Sequence, residues 1–228
     1  MRIERATNET CDRCVGTVVV IDVLRAFTVA AVALGSGAQD IVLAGTVEEA
    51  FAMRERFPGA LLMGEVGGLP PPGFDFGNSP AELIRQELGG RRIIQRTSAG
   101  TQGVVRSSRA KTLLTCSFVC AGATARYIMR RAVAPLTLVT TGVFPGCDGD
   151  EDVACADYLT ALLGGGKPDV APFLRRVRES HTGRLFDDPT RPEYPLDDLS
   201  YCTAVDCFDF AMLVERQDGL LVMKAVSG

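Results

Sequence analysis

Eight residues with chemistry to offer, Arg96-Thr97-Ser98-Ala99-Gly100-Thr101-Gln102-Gly103, follow an apolar run that ends at Ile94. Small side chains leave backbone N–H groups approachable, and Arg96 adds a planar cation that grips an anion through two nitrogens. Backbone N–H groups at a helix start, with a cation beside them, suit a phosphate group. The stretch matches neither G-x-x-x-x-G-K-[ST] nor G-x-G-x-x-G, so spacing alone leaves a phosphate cradle and a capped polar turn equally open. The superficially similar "GGGKP" at 164–168 also lacks the spacing and follows a helix rather than a strand.

Three other segments place polar groups at the ends of apolar runs. In "VVVIDVLRAFT", Asp22 interrupts a buried run and Arg25 follows it. An acid in that position is costly to bury unless it is paired or bound to metal, with an Asp–Arg pair or a helix cap as the plain alternative. In "GEVGGLPPPGFDFGNSPAE", Glu65, Asp75, Asn78 and Ser79 lie among glycines and prolines. Ser79-Pro80 is also a good helix start, so capping and ligand contact are both open for Ser79. In "GVFPGCDGDEDVACADYL", Asp148, Asp150, Glu151 and Asp152 crowd a helix start. Acids there complement the helix dipole. Four within five residues also repel one another, which a divalent cation would relieve; Glu151 and Asp152 are the site candidates, and Asp148 and Asp150 are expected in surface loop.

The single histidine, His181, narrows the chemistry. A Ser-His-Asp or Cys-His mechanism would have to use it, and a multi-histidine metal site is impossible within one chain. A metal would therefore take oxygen ligands, which points to Mg²⁺ or a similar hard cation. His181, Tyr194 and Arg175-Arg176-Arg178 read as solvated surface or lid. The eight cysteines include one C-x-x-C, Cys11 and Cys14, with no second to complete a zinc site, so reduced structural thiols are expected. A net charge of −4 suggests no broad nucleic-acid surface. No apolar run approaches the roughly 20 residues of a membrane span. "MRIERATNET" has no signal-like apolar core, and a cytoplasmic location is expected.

Elements that would position these groups alternate along the chain. Strands are predicted at 17–23, 40–45, 60–65, 91–96, 111–116 and 135–143. Helices are predicted between them, "TVEEAFAMRERF" with a Thr cap and early acids, and residues 80–88, among them. The loop 66–80 is longer than the usual strand–helix connection, as functional loops often are. The pattern implies a three-layer α/β/α fold with a mostly parallel or mixed sheet, whose strand ends gather ligands. Residues 168–178 look helical, 179–198 irregular, and 210–226 a β-hairpin around Asp218-Gly219. One domain over 1–228 is expected, with a subdivision into a main unit 1–166 and a C-terminal elaboration 167–228 as the variant. The apolar hairpin packs either on its own core or on a second copy, so a homo-oligomer is allowed.

In this order, "VVVIDVLRAFT", "GE-x-G-G…GFDFGNSP", "RTSAGTQGV" and "DEDVACADYL" resemble the 2-phosphosulfolactate phosphatase (ComB-like) family over about residues 15–215. The resemblance implies an α/β Mg²⁺-dependent phosphomonoesterase that hydrolyses 2-phospho-3-sulfolactate to 3-sulfolactate and phosphate, a step toward coenzyme M. Another small phosphorylated acid is the alternative substrate, and a non-catalytic phosphate- or nucleotide-binding module the alternative function. Carried onto this chain, the resemblance implies catalytic roles for Asp22, Arg25, Asp75 and Arg96. It implies phosphate contacts from Asn78, Ser79, Thr97, Ser98, Gly100 and Thr101, and metal ligation by Asp22, Glu65, Asp75, Glu151 and Asp152. One departure stands out: where "SFxNA" is expected, the chain has Ser117-Phe118-Val119-Cys120-Ala121. Asp22 could form an aspartyl phosphate as in haloacid-dehalogenase-like phosphatases, but the second acid of their D-x-D is Leu24 here, which favours attack by activated water.

Overall fold

The computed structural model describes residues 2–228. β2 (Thr17–Ile21) is buried at every position, as a β-branched strand covered on both faces must be. It leads through Asp22 and Arg25 into α1 (Ala26–Gly35), which is buried from Ala26 to Leu34. A helix apolar all round has no solvent face to offer, and α1 accordingly sits inside the molecule, against β3 (Asp40–Leu43) and β6 (Thr112–Cys116). α2 (Val47–Arg56) begins with a capping box in which Thr46 and Glu49 exchange side-chain and backbone hydrogen bonds. It leads to β4 (Leu61–Gly64). The long loop then ends at α3 (Pro80–Leu83), a single turn capped by Ser79 and shorter than the helix expected over 80–88.

β5 (Arg92–Arg96) and α4 (Gly100–Arg106) flank the small-residue stretch. α5 (Ala121–Arg131), β7 (Leu136–Thr140), α6 (Asp150–Leu163) and α7 (Ala171–Glu179) continue the alternation. β1 (Ile3–Thr7), unforeseen in the polar N-terminal stretch, pairs in parallel with β7 at one sheet edge. A second addition is α8 (Leu196–Cys202), whose start lies in a segment expected to be irregular.

The hairpin β8 (Phe210–Gln217) and β9 (Leu220–Ser227) forms as expected, with Asp218 and Gly219 both at positive φ in the turn. Its place differs from the expectation of a C-terminal elaboration. The nine strands run β1-β7-β2-β6-β8-β9-β3-β5-β4, with the hairpin at the centre, antiparallel to β6 on one side and β3 on the other. It joins two parallel blocks, β1-β7-β2-β6 and β3-β5-β4, which neither block could bridge alone. Two antiparallel joints and the hairpin's own pairing leave the blocks running in opposite senses. A flat sheet would then put the ends of β2 and β5 on opposite edges. Four steps separate β2 from β3, and at roughly 20–25° of twist each they turn one block by about 80–100° relative to the other. The sheet curls about α1, and both strand ends reach one side of it. The fold is α/β with a mixed sheet.

Candidate active site

Asp22 closes β2. Its Oδ1 accepts from the Ala26 N–H at 3.0 Å and its Oδ2 from the Thr141 hydroxyl at 3.2 Å. Asp152 lies beside it. From the first turn of α6 it reaches back to the ends of β2 and β7, accepting from the N–H groups of Val23 (2.8 Å), Thr141 (3.0 Å) and Gly142 (2.8 Å). Gly149, at φ +57°, makes that approach possible, since a Cβ there would run into the Gly142 backbone. Glu151 is buried next to them, and its Oε2 has no partner.

These carboxylates are surrounded by neutral donors and by one another. Among the described residues, no arginine or lysine is ion-paired with Asp22, Glu151 or Asp152. Burial pushes the Asp22 carboxyl up to about 7; the Ala26 N–H and the Thr141 hydroxyl oppose the rise, and the Glu65 and Glu151 charges add to it. Burial, then the charges of Asp22 and Glu151, holds Asp152 well above the ordinary carboxylate range.

The end of β5 supplies the facing wall. Glu65 accepts from the Ser98 N–H (2.6 Å) and hydroxyl (2.9 Å) and from the Gly68 N–H (2.9 Å). Arg96 donates Nη1 to the Glu65 carbonyl at 2.9 Å, while its Nε is buried without a partner. Thr97 and Thr101 bond each other: the Thr97 N–H donates to Thr101 Oγ1 (2.9 Å) and the Thr101 N–H to Thr97 Oγ1 (3.0 Å). Three of the backbone donors expected to face phosphate are thus engaged within the protein, those of Thr97, Ser98 and Thr101. Among the described residues, no protein acceptor meets the N–H groups of Ala99 and Gly100. Gly100 touches Asp22 directly; a Cβ there would stand 2.8 Å from Asp22 Oδ2 and 2.7 Å from the Ala26 methyl.

Arg25 forms the third wall. Its Nη1 donates to Asp198 Oδ2 at 2.6 Å, and its guanidinium lies over the rings of Phe186 and Tyr194. Ser79 Oγ donates to Asp198 Oδ1 at 2.7 Å, and Asn78 is buried with Oδ1 unpartnered. A cavity of about 210 Å³ is lined by Asp22, Arg25, Glu65, Asn78, Ser98, Ala99, Thr182 and Tyr194 among others. A neighbouring groove of about 310 Å³ shares Arg25, Gly68 and Asn78 and adds Ser79 and Asp75.

The fold therefore brings together Asp22, Arg25, Glu65, Asn78 and Ser98 around one cavity, with Gly100, Glu151 and Asp152 against Asp22 and with Arg96, Thr97 and Thr101 supporting the β5 end. Asp75 is not gathered with the other acids. Its Oδ2 accepts from the Leu62 N–H on edge strand β4 at 2.7 Å, with Arg54 nearby at 3.8 Å. Asp148 is exposed, and Asp150 pairs with Arg176. His181 is exposed and borders a different cavity, whereas Tyr194 does cover the site. All eight cysteines are free thiols. Sequence reasoning missed Asp198. Its only local signal, an acid pair opening "LDDLSYC", is what any surface helix shows.

Among the described residues, no group of three or more His, Cys, Asp or Glu side chains is arranged to hold a metal ion. The charge nonetheless fits a hard cation, because three buried carboxylates lack any counter-charge and Glu151 Oε2 is unpartnered. Mg²⁺ commonly takes one or two carboxylates, keeps several waters and adds substrate phosphate oxygens, so a small acidic set suits it.

An α/β scaffold that gathers buried carboxylates and an arginine with free donors around a small cavity is that of a phosphate-handling enzyme. The chain belongs to the 2-phosphosulpholactate phosphatase family, which it matches over residues 3–217. It is 34% identical over 202 residues to a probable 2-phosphosulfolactate phosphatase of Bacillus subtilis, covering 88% of this chain and 87% of that one. A protein of the same description from Carboxydothermus hydrogenoformans is 41% identical over 226 residues, covering 91% and 90%. One from Cyanothece is 30% identical, with 96% of each chain covered.

Proposed function

We propose that this protein hydrolyses the phosphoester of a small phosphorylated acid, 2-phospho-3-sulfolactate first among them, with Mg²⁺ as cofactor. The observation that carries this is the uncompensated carboxylate group Asp22, Glu151 and Asp152 behind a cavity whose other walls hold Arg25 and Glu65. A pure anion binder has no use for buried acids that lack counter-charge, whereas a phosphatase needs both a cation and a base. Glu151, with its unpartnered Oε2, is the residue to hold the metal, and Glu65 stands across the cavity. Bound there, Mg²⁺ would neutralise charge on the phosphate oxygens.

The chain's own groups do the rest. The remaining phosphate charge meets Arg25, with the Ala99 and Gly100 N–H groups as neutral donors, while Arg96 braces the Glu65 backbone behind them. Asp22, whose carboxyl stands near 7 in the metal-free protein, takes the proton of the water attacking phosphorus, and that proton passes to the departing ester oxygen. Both Asp22 oxygens are held by hydrogen bonds, which favours this route over an aspartyl phosphate. Rapid-quench trapping of a phosphoenzyme would overturn that choice. The first experiment is steady-state hydrolysis of 2-phospho-3-sulfolactate and a panel of phosphomonoesters, with Mg²⁺ and with EDTA. Full activity in EDTA removes the cofactor from the scheme, and no turnover of any ester moves the protein to the binding-module alternative.

A further inference from the structure

We propose that Asp198, on α8, is a positioning residue that holds the Arg25 guanidinium ready for the substrate anion. The inference rests on the phosphatase reading for the identity of that anion.

Asp198 is fully buried and takes three donors: Arg25 Nη1 on Oδ2, and Ser79 Oγ and the Ala81 N–H (3.0 Å) on Oδ1. Packing alone would not call for an acid here, because burying a charge is expensive and an apolar side chain would fill the space. Capping α3 does not require it either, since Ser79 Oγ already accepts from the Glu82 N–H at 3.2 Å. What only an acid can do is fix the guanidinium. Phe186 and Tyr194 lie against the guanidinium at 5.4 and 5.1 Å from their ring centroids, and Asp198 sets its rotation.

The guanidinium is then held by one nitrogen. Among the described residues, its Nε and Nη2 have no protein partner, and Arg25 borders both the 210 Å³ cavity and the 310 Å³ groove. A planar fork with two donors free and its orientation fixed is suited to bidentate capture of an oxyanion. The alternative partners are close at hand, because Asp22 and Glu65 line the same cavity. An Arg25 released from Asp198 would be drawn to those carboxylates, and the place needed by the substrate anion would be filled. Asp198 thus prevents the site from closing on itself.

The test is isothermal titration of the full chain with inorganic phosphate, together with phosphatase kinetics, for the wild type and Asp198→Asn. Asparagine keeps the Oδ1 acceptor for Ser79 and Ala81 and replaces the charged acceptor facing Arg25 with an NH₂ group that cannot accept. Displacing a binding group by about 1 Å costs on the order of 100-fold, and a loss of that size in phosphate affinity is expected, with KM rising more than kcat falls. Asp198→Glu restores the charge one methylene further away and is expected to fall between the two. It carries the same test if the asparagine variant does not fold. A folded variant whose phosphate affinity and KM stay within two-fold of wild type overturns the proposal while leaving the phosphatase reading intact. Weakened phosphate binding in a protein that turns over no ester supports the positioning role and overturns the reading of function.

Discussion

Asp22 and Asp198 are both buried acids within reach of one cavity, and they are handled in opposite ways. Asp198 is given a counter-charge and three donors. Asp22 is given an N–H, a hydroxyl and the company of Glu65, Glu151 and Asp152. The first arrangement neutralises a charge so that a neighbour can be oriented. The second concentrates charge that the protein itself does not neutralise, at a cost to stability, which is reasonable only where a proton, a cation or a substrate completes it.

The largest expected effect breaks this contrast at its active end. Asp22→Asn should lower kcat by about 10³-fold, in the range for loss of a general base. It should also raise the melting temperature at pH 8, because the amide keeps the acceptor for Ala26 and removes a buried charge. Calorimetry at that pH checks the pairing of lost activity with gained stability. Asp198→Asn should move stability the other way, by about 3 kcal/mol, because Arg25 loses its counter-charge in a buried setting. Denaturant unfolding of the two variants side by side tests the opposed signs.

A pH scan sharpens the same comparison. Asp22 titrates near 7 when folded against an ordinary value of 3.8, so the native state binds the extra proton between those limits. In metal-free protein the Asp22 contribution to stability should therefore be full below about pH 4 and be lost as the pH rises to about 7, by an amount on the order of a few kcal/mol. Asp22→Asn should flatten that slope, and Mg²⁺ should restore stability above pH 7. A melting temperature that climbs over this range in metal-free protein would remove the charge-concentration account.

Two smaller changes probe the wall opposite Asp22. Gly100→Ala would force a methyl against Asp22 Oδ2 and the Ala26 side chain. Overpacking of this kind costs about 1–3 kcal/mol, and kcat/KM should fall by about 100-fold through displacement of Asp22. Ser98→Ala removes one of three donors to Glu65. About 1 kcal/mol of stability and a several-fold rise in KM are expected, the smallest effect of the set.

Much of the architecture was legible locally. The all-apolar β2, the Thr46–Glu49 capping box, the Ser79-Pro80 helix start and the Asp218-Gly219 turn each follow from residues within four positions of one another. The placement of Asp22 and Thr97–Gly100 at the ends of apolar runs was legible in the same way. The histidine count and the four ordered motifs then pointed to oxygen-ligand phosphate chemistry. Less legible were β1, in a polar stretch that forms a strand only because β7 offers it an edge, and α8, whose seven residues look like any polar turn of helix.

What the sequence by itself determined is the set of elements and the chemistry at their ends, because hydrophobic period, capping and turn geometry act over a few residues. Only the tertiary structure decided that the C-terminal hairpin is the centre of the sheet. Only it decided that Asp75 serves the β4 edge, and that Arg25 is held by an acid 173 positions away. Those facts depend on which surfaces meet once the sheet has curled about α1, and no local pattern encodes the partner of a buried charge.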